Sequence, residues 1–73
     1  MNDEEKIALV KEVLEIEDET IVAETRLDDL KEFNSMGVLS LIIMFEDEFN
    51  KKISGKDIRN CKTIGDILEK MES

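Results

Sequence analysis

The run Met36-Gly-Val-Leu-Ser-Leu-Ile-Ile-Met-Phe-Glu-Asp-Glu-Phe49 constrains this chain more than any other stretch. It is too apolar to lie free on a surface, and no apolar stretch here approaches the ~20 residues that cross a bilayer. Its spacing predicts a helix over about residues 36–50, with two apolar faces. At about 100° per residue, Val38, Leu41, Ile42, Phe45 and Phe49 gather as a broad core face. Met36, Leu39 and Ile43 gather opposite, flanked by Glu46 and Asp47. A bundle of 73 residues buries only one side of such a helix, so the second stripe is either a docking surface or a face packed on a neighbouring helix.

Three further helical segments accompany it. Ile7, Val10 and Leu14 fall at i, i+3, i+7, with Leu9 and Val13 widening the stripe, which predicts an amphipathic helix from Asp3 to Ile16 capped by Asn2 or Asp3. Ser54-Gly55-Lys56-Asp57 reads as a capping box opening a short helix through about Asn60, packed down by Ile53 and Ile58. Thr63-Ile64-Gly65-Asp66 reads as a second box, and Ile64, Ile67, Leu68 and Met71 form the core stripe of the last helix. Residues 17–33 have no sustained period. Leu27, Leu30 and Phe33, spaced three apart among charges, are expected to pin this long connection across the bundle, with a short helical turn. No strand-like alternation, proline break or repeat appears. The expected fold is all-α, a four-helix bundle with a short third helix and a long loop between helices one and two, residues 1–73 forming one domain.

Charge and composition narrow the function. With 19 acids against 10 bases the net charge is −9, which repels phosphate backbones and anionic lipid surfaces, so neither nucleic acid nor membrane is expected as a partner. Basic partners fit better. The acidity lies mainly in residues 1–36, with 12 acids and 4 bases, whereas residues 37–73 hold 7 and 6. The single cysteine, Cys61, excludes an internal disulfide, and the absence of histidine removes the common metal sites and a cysteine–histidine nucleophile pair. Cys61 reads as a packing residue in the turn between helices three and four. The acid runs 17–19 and 46–48 lack the glycine and spacing of a calcium loop, so no metal is expected. The acidic start is unlike a secretory signal; a soluble, complete, monomeric protein of the reducing cytoplasm is expected, without catalytic residues of its own.

Ser35 stands where the acidic connection gives way to the apolar helix. Taken alone it reads as a helix N-cap. The same position also suits a negative group on its oxygen, because the helix dipole favours one there.

Read together, Thr25-Arg26-Leu27-Asp28-Asp29-Leu30, Asn34-Ser35-Met36, Glu46-Asp47-Glu48-Phe49 and Thr63-Ile64-Gly65-Asp66 resemble, in order and at family spacing, the acyl carrier proteins of fatty acid and polyketide synthesis. The resemblance covers nearly the whole chain. It implies that Ser35 receives a 4′-phosphopantetheine arm from coenzyme A through a phosphopantetheinyl transferase, and that acyl groups ride on the arm's thiol as thioesters. It also implies that Met36, Leu39, Ile43 and Asp47 meet basic, apolar-lined patches on acyl-transferring and synthase enzymes. An apolar interior between helices two, three and four would shelter a bound acyl chain.

The chain departs from the family pattern at several positions. Asn34 replaces the usual aspartate beside the serine, removing a charge offered near the transferase metal site. Glu32 stands in place of a usual glycine, and Gly37 and Ser40 occupy positions that are often acidic. With Lys51 and Lys52 following, the docking face is less negative than is typical. Gly37 in the first turn of the helix lowers its propensity by something under ~1 kcal/mol, and local mobility beside the serine is the expected consequence. Two alternatives stay open: a carrier of amino acids, peptidyl or D-alanyl, and an unmodified helical adaptor in which Ser35 is only a cap.

Overall fold

The computed structural model describes residues 2–72, which form four α-helices: α1 (Asp3–Leu14), α2 (Ser35–Phe49), α3 (Gly55–Arg59) and α4 (Ile64–Glu72). Extended pairing among the described residues is confined to an isolated bridge between Arg26 and Thr63. The all-α bundle with a short third helix is as the periodicity predicts.

Asn2 caps α1. Its side chain accepts the Glu5 N–H at 2.8 Å, the Glu5 carboxylate accepts the Asn2 N–H at 3.4 Å, and Asp3, Glu4 and Glu5 lie at the positive end of the dipole. The helix ends two residues before Ile16. Glu15 turns left-handed at φ 57°, and the N–H groups of Glu15 and Ile16 return to the carbonyls of Glu12 and Lys11. That reversal carries Ile16 into the core. On the helix itself Val10 and Leu14 are buried, with Ile7, Leu9 and Val13 packed around them.

The connection from α1 to α2 is ordered by its anchors and by α4. Leu27 is buried at the start of a 3₁₀ turn (Leu27–Asp29), and Leu30 and Phe33 pack half-buried against the core, as their spacing predicts. Ile16 and Ile21 are anchors that a search for periodicity does not find. Three backbone bonds then tie the connection to α4: Leu27 N–H to Lys62 O (2.9 Å), Ile64 N–H to Thr25 O (3.0 Å) and Gly65 N–H to Ala23 O (2.8 Å). These bonds satisfy helix-terminal donors that would otherwise lack partners, which is why 20 residues without long helix stay in place.

Both predicted boxes form. Ser54 accepts the Asp57 N–H at 3.1 Å while Asp57 accepts the Ser54 N–H at 3.4 Å. Thr63 accepts the Asp66 N–H at 3.3 Å, and the Asp66 carboxylate accepts the N–H groups of Thr63 (3.2 Å) and Lys62 (2.8 Å). Two backbone donors on one carboxylate hold Asp66 below the usual aspartate range.

Helix α1 packs on α2 and α4, and α2 packs on α3. Val10, Leu41, Ile58, Ile64 and Ile67 are fully enclosed at the centre. Two lysines close the far end of α4. Lys6, whose stem is buried, pairs with Glu72, and the Lys51 ammonium donates to the carbonyls of Lys70 (3.1 Å) and Met71 (3.0 Å) in the last turn. Among the described residues no helix is long and apolar enough to cross a membrane.

Candidate attachment site and docking face

The start of α2 divides its tasks between two adjacent residues. Asn34, not Ser35, is the N-cap: its Oδ1 accepts the Gly37 N–H at 3.0 Å, and its backbone carbonyl accepts the Val38 N–H at 2.8 Å. The Asn34 Nδ2 donates to the Lys31 carbonyl at 3.2 Å, so the amide binds the helix with one end and the incoming loop with the other. A carboxylate at this position has no donor with which to reach Lys31. Ser35 is the first helical residue and is exposed, which corrects its reading as a cap.

Gly37 fixes the approach of this turn to the rest of the molecule. A Cβ there would lie 2.3 Å from the Glu32 carbonyl oxygen and 2.9 Å from Leu14 Cδ2. The glycine is buried, and its packing runs against the mobility expected from propensity: the missing side chain admits the loop backbone to contact.

Helix α2 has three faces. Val38, Leu41, Met44 and Phe45 are buried, with Ile42 and Phe49 half-buried. Met44 joins the core although the two-face reading omitted it. Opposite, Met36, Leu39 and Ile43 are 74%, 53% and 52% exposed, with Asp47 and Glu46 exposed beside them. α3 meets α2 elsewhere, with Gly55 over Val38 and Ile42, so the stripe is not the face that packs on helix three. The third face turns toward α1. Gly37, Ser40 and Met44, at i, i+3, i+7, line two open grooves against Val13 and its neighbours. That spacing was present in the sequence but was masked by the mixed character of a glycine, a serine and a methionine.

The interior between α2, α3 and α4 is filled by Val38, Leu41, Phe45, Ile58, Ile64 and Ile67, none more than 4% exposed. An acyl chain entering there would have to part these side chains. Cys61 is buried, its thiol facing the Asp57 carbonyl at 3.6 Å, and burial pushes its pKa up, away from the reactive thiolate. Among the described residues no three metal-ligating side chains converge.

A small acidic helical bundle presenting a serine at the exposed start of its second helix has the form of a carrier domain. The family model for the phosphopantetheine attachment site matches residues 7–70. An acyl carrier protein of Clostridium perfringens is 36% identical over 53 residues, covering 73% of this chain and 68% of its own length. An acyl carrier protein of Thermotoga maritima is 28% identical over 65 residues, covering 89% of this chain and 80% of its own. No solved structure matches at a significant level. The chain belongs to the phosphopantetheine-binding acyl carrier family. Its role is therefore that of a carrier, not an enzyme, and its prosthetic group is phosphopantetheine.

Proposed function

We propose that Ser35 is the attachment residue and that the chain shuttles acyl intermediates as thioesters between cytoplasmic enzymes of fatty acid, polyketide or related biosynthesis. The observation that carries this reading is the division of labour at α2: Asn34 holds the cap, which leaves the exposed Ser35 hydroxyl out of it. The residues present suit a phosphodiester. α1, α3 and α4 each carry acids in their first turn, whereas α2 carries none, so a phosphate on Ser35 supplies the negative charge that its dipole favours.

In the transfer, Ser35 Oγ forms a bond to the phosphorus that bears the pantetheine arm, and the pyrophosphate bond of coenzyme A breaks, releasing the nucleotide half. The hydroxyl proton goes to a base on the transferase. The arm's thiol supplies the thioester chemistry. The exposed stripe of Met36, Leu39 and Ile43 seats partners, including the transferase, and Asp47 attracts their basic patches.

Mass spectrometry after co-expression with a transferase of broad specificity should find one phosphopantetheine on the wild type and none on Ser35→Ala. Wild-type protein left unmodified by several transferases would refute the assignment and leave the adaptor reading in its place. Loading by different activating enzymes separates an acyl from an aminoacyl or D-alanyl cargo.

A further inference from the structure

The two open grooves between α1 and α2 adjoin. The first, about 360 Å³, lies between Val13 and Leu14 on one side and Met36, Gly37 and Ser40 on the other. The second, about 370 Å³, continues from Val13 and Ser40 past Leu9, Ile43 and Met44. Because Val13 and Ser40 line both, they form one trough along the furrow between the two helices. Its lining is mainly apolar and its rims are acidic. Glu12, Glu15, Glu32, Asp47 and Glu48 stand along it, and among the described residues no lysine or arginine lines either groove, although the chain holds ten. Ser35 lines neither groove. At about 100° per residue it faces the opposite side of α2 from Gly37, Ser40 and Met44.

We infer that this trough seats a basic amphipathic helix of a partner protein, gripping the chain on the side away from Ser35. The backbone groups of α1 and α2 along the trough are spent within their own helices, so an extended peptide would find no edge to pair with. A helix satisfies its own backbone and brings only side chains. Laid in the furrow between two packed helices, it would bury an apolar stripe against Leu9, Val13, Ile43 and Met44, while Lys or Arg on its flanks meets the acids on both rims. From Gly37 to Glu48 is roughly 16 Å along α2 at ~1.5 Å per residue, room for about three turns of a guest. The charge also rules on other occupants. A second copy of this chain, at net −9, would set acid against acid, and nucleic acid or an anionic membrane would be repelled in the same way.

The trough is distinct from the docking stripe, although the two share an edge. Met36, Ile43 and Asp47 belong to both, whereas Leu9, Glu12 and Val13 on α1 belong to the trough alone. Leu39, which is 53% exposed, and Ser35 lie outside it. A guest in the trough therefore leaves a group on Ser35 accessible. That last point rests on Ser35 as the attachment residue; the binding itself does not.

The test uses a fluorescein-labelled, amidated peptide of about four helical turns, with leucine at i, i+3, i+4 and i+7 and lysine at most other positions. Anisotropy at physiological salt reads its affinity for the full chain, and amide chemical shifts place it. Shifts should change at Leu9, Glu12, Val13, Ser40 and Met44. A peptide of the same composition with its leucines scattered should bind at least roughly five-fold more weakly, and so should the patterned peptide to Glu12→Lys, a substitution at an exposed position. Ser35→Ala and the phosphopantetheinylated protein should bind within about two-fold of the unmodified wild type, since their changes lie across the helix from the trough. No binding, equal binding of the scattered peptide, shifts confined to α3 or to Leu39 and Glu46, or an unchanged affinity in Glu12→Lys would overturn the trough and leave Ser35 standing. Affinity lost on modification would overturn the free arm. A missing mass increase on treatment with transferases would overturn Ser35 and leave the trough standing.

Discussion

Replacing Gly37 with alanine sets two effects of opposite sign against each other. Helix propensity alone predicts a gain of up to ~1 kcal/mol from removing a glycine in α2. Packing predicts a loss. The new Cβ would sit 2.3 Å from the Glu32 carbonyl oxygen, about 1 Å inside the ~3.3 Å at which carbon and carbonyl oxygen ordinarily meet. Leu14 Cδ2, at 2.9 Å, can rotate, but the carbonyl belongs to a loop held by the Asn34–Lys31 bond and by Phe33 N–H to Leu30 O at 3.1 Å. Overpacking costs ~1–3 kcal/mol, toward the upper end where backbone must move, so the net effect is a loss of about 1–2 kcal/mol. With a urea slope near 1 kcal/mol per molar for a chain this small, the unfolding midpoint falls by about 1–2 M. Gly55→Ala is the control. Its Cβ would meet Val38 and Ile42 at 3.6 and 3.8 Å, ordinary contact, so it should leave the midpoint unchanged or raise it. Urea titrations followed by circular dichroism measure both. A midpoint raised by Gly37→Ala would refute the close-approach argument and return that residue to a matter of propensity.

Asn34→Ala removes the cap of α2 and should cost about 1 kcal/mol in the same titration, whereas Ser35→Ala should cost under ~0.5 kcal/mol; the reverse order would restore Ser35 as the cap. Asp47→Lys, at an exposed site beside the apolar stripe, should slow association with the transferase several-fold at low salt with little change in dissociation; an on-rate unchanged in stopped flow would remove Asp47 from recognition. Asp66 is held below its ordinary value by the Lys62 and Thr63 N–H groups, so the stability it contributes is present above the unfolded pKa of about 3.9 and is lost as pH falls through the lower folded value. Asp66→Asn should therefore flatten the acid decline of the melting temperature below about pH 4, and a variant declining as steeply as the wild type would contradict this.

The helices were legible because each carries a local signal that nothing in the tertiary structure overrides. The Ser54–Asp57 and Thr63–Asp66 boxes and the stripe of Ile64, Ile67, Leu68 and Met71 form where their spacing places them. What escaped was non-local. Ile16 and Ile21 are core residues because a left-handed Glu15, and the bonds from the first N–H groups of α4 to the carbonyls of Ala23 and Thr25 in the connection, route it inward, and none of these pairings has a period. Gly37 was misread for the same reason: the carbonyl that excludes its side chain comes from Glu32, across a turn. At the site, the exposure of Met36, Leu39 and Ile43 followed from a bundle burying one face of α2, while the α1-facing strip of Gly37, Ser40 and Met44 required knowing where α1 lies.

Separating the cap from the hydroxyl has an energetic logic of its own. A capping serine must keep its Oγ aimed at a backbone N–H two or three residues on, and esterifying that oxygen would set the phosphodiester in competition with the cap. Here the Gly37 N–H goes to Asn34, whose side chain is itself oriented by the Lys31 carbonyl, so the first turn of α2 is closed before any group is attached. The close contact of Gly37 with Glu32 fixes the same turn against the loop. Neither constraint passes through Ser35. Modification should then add the dipole's preference for a negative charge, ~0.3–1 kcal/mol at an exposed helix start, without removing any bond the fold depends on. The modified protein should consequently unfold at a slightly higher urea concentration than the unmodified one at low salt, and the difference should shrink as salt is added. A modified form less stable than the unmodified would mean that the hydroxyl of Ser35 serves the helix after all.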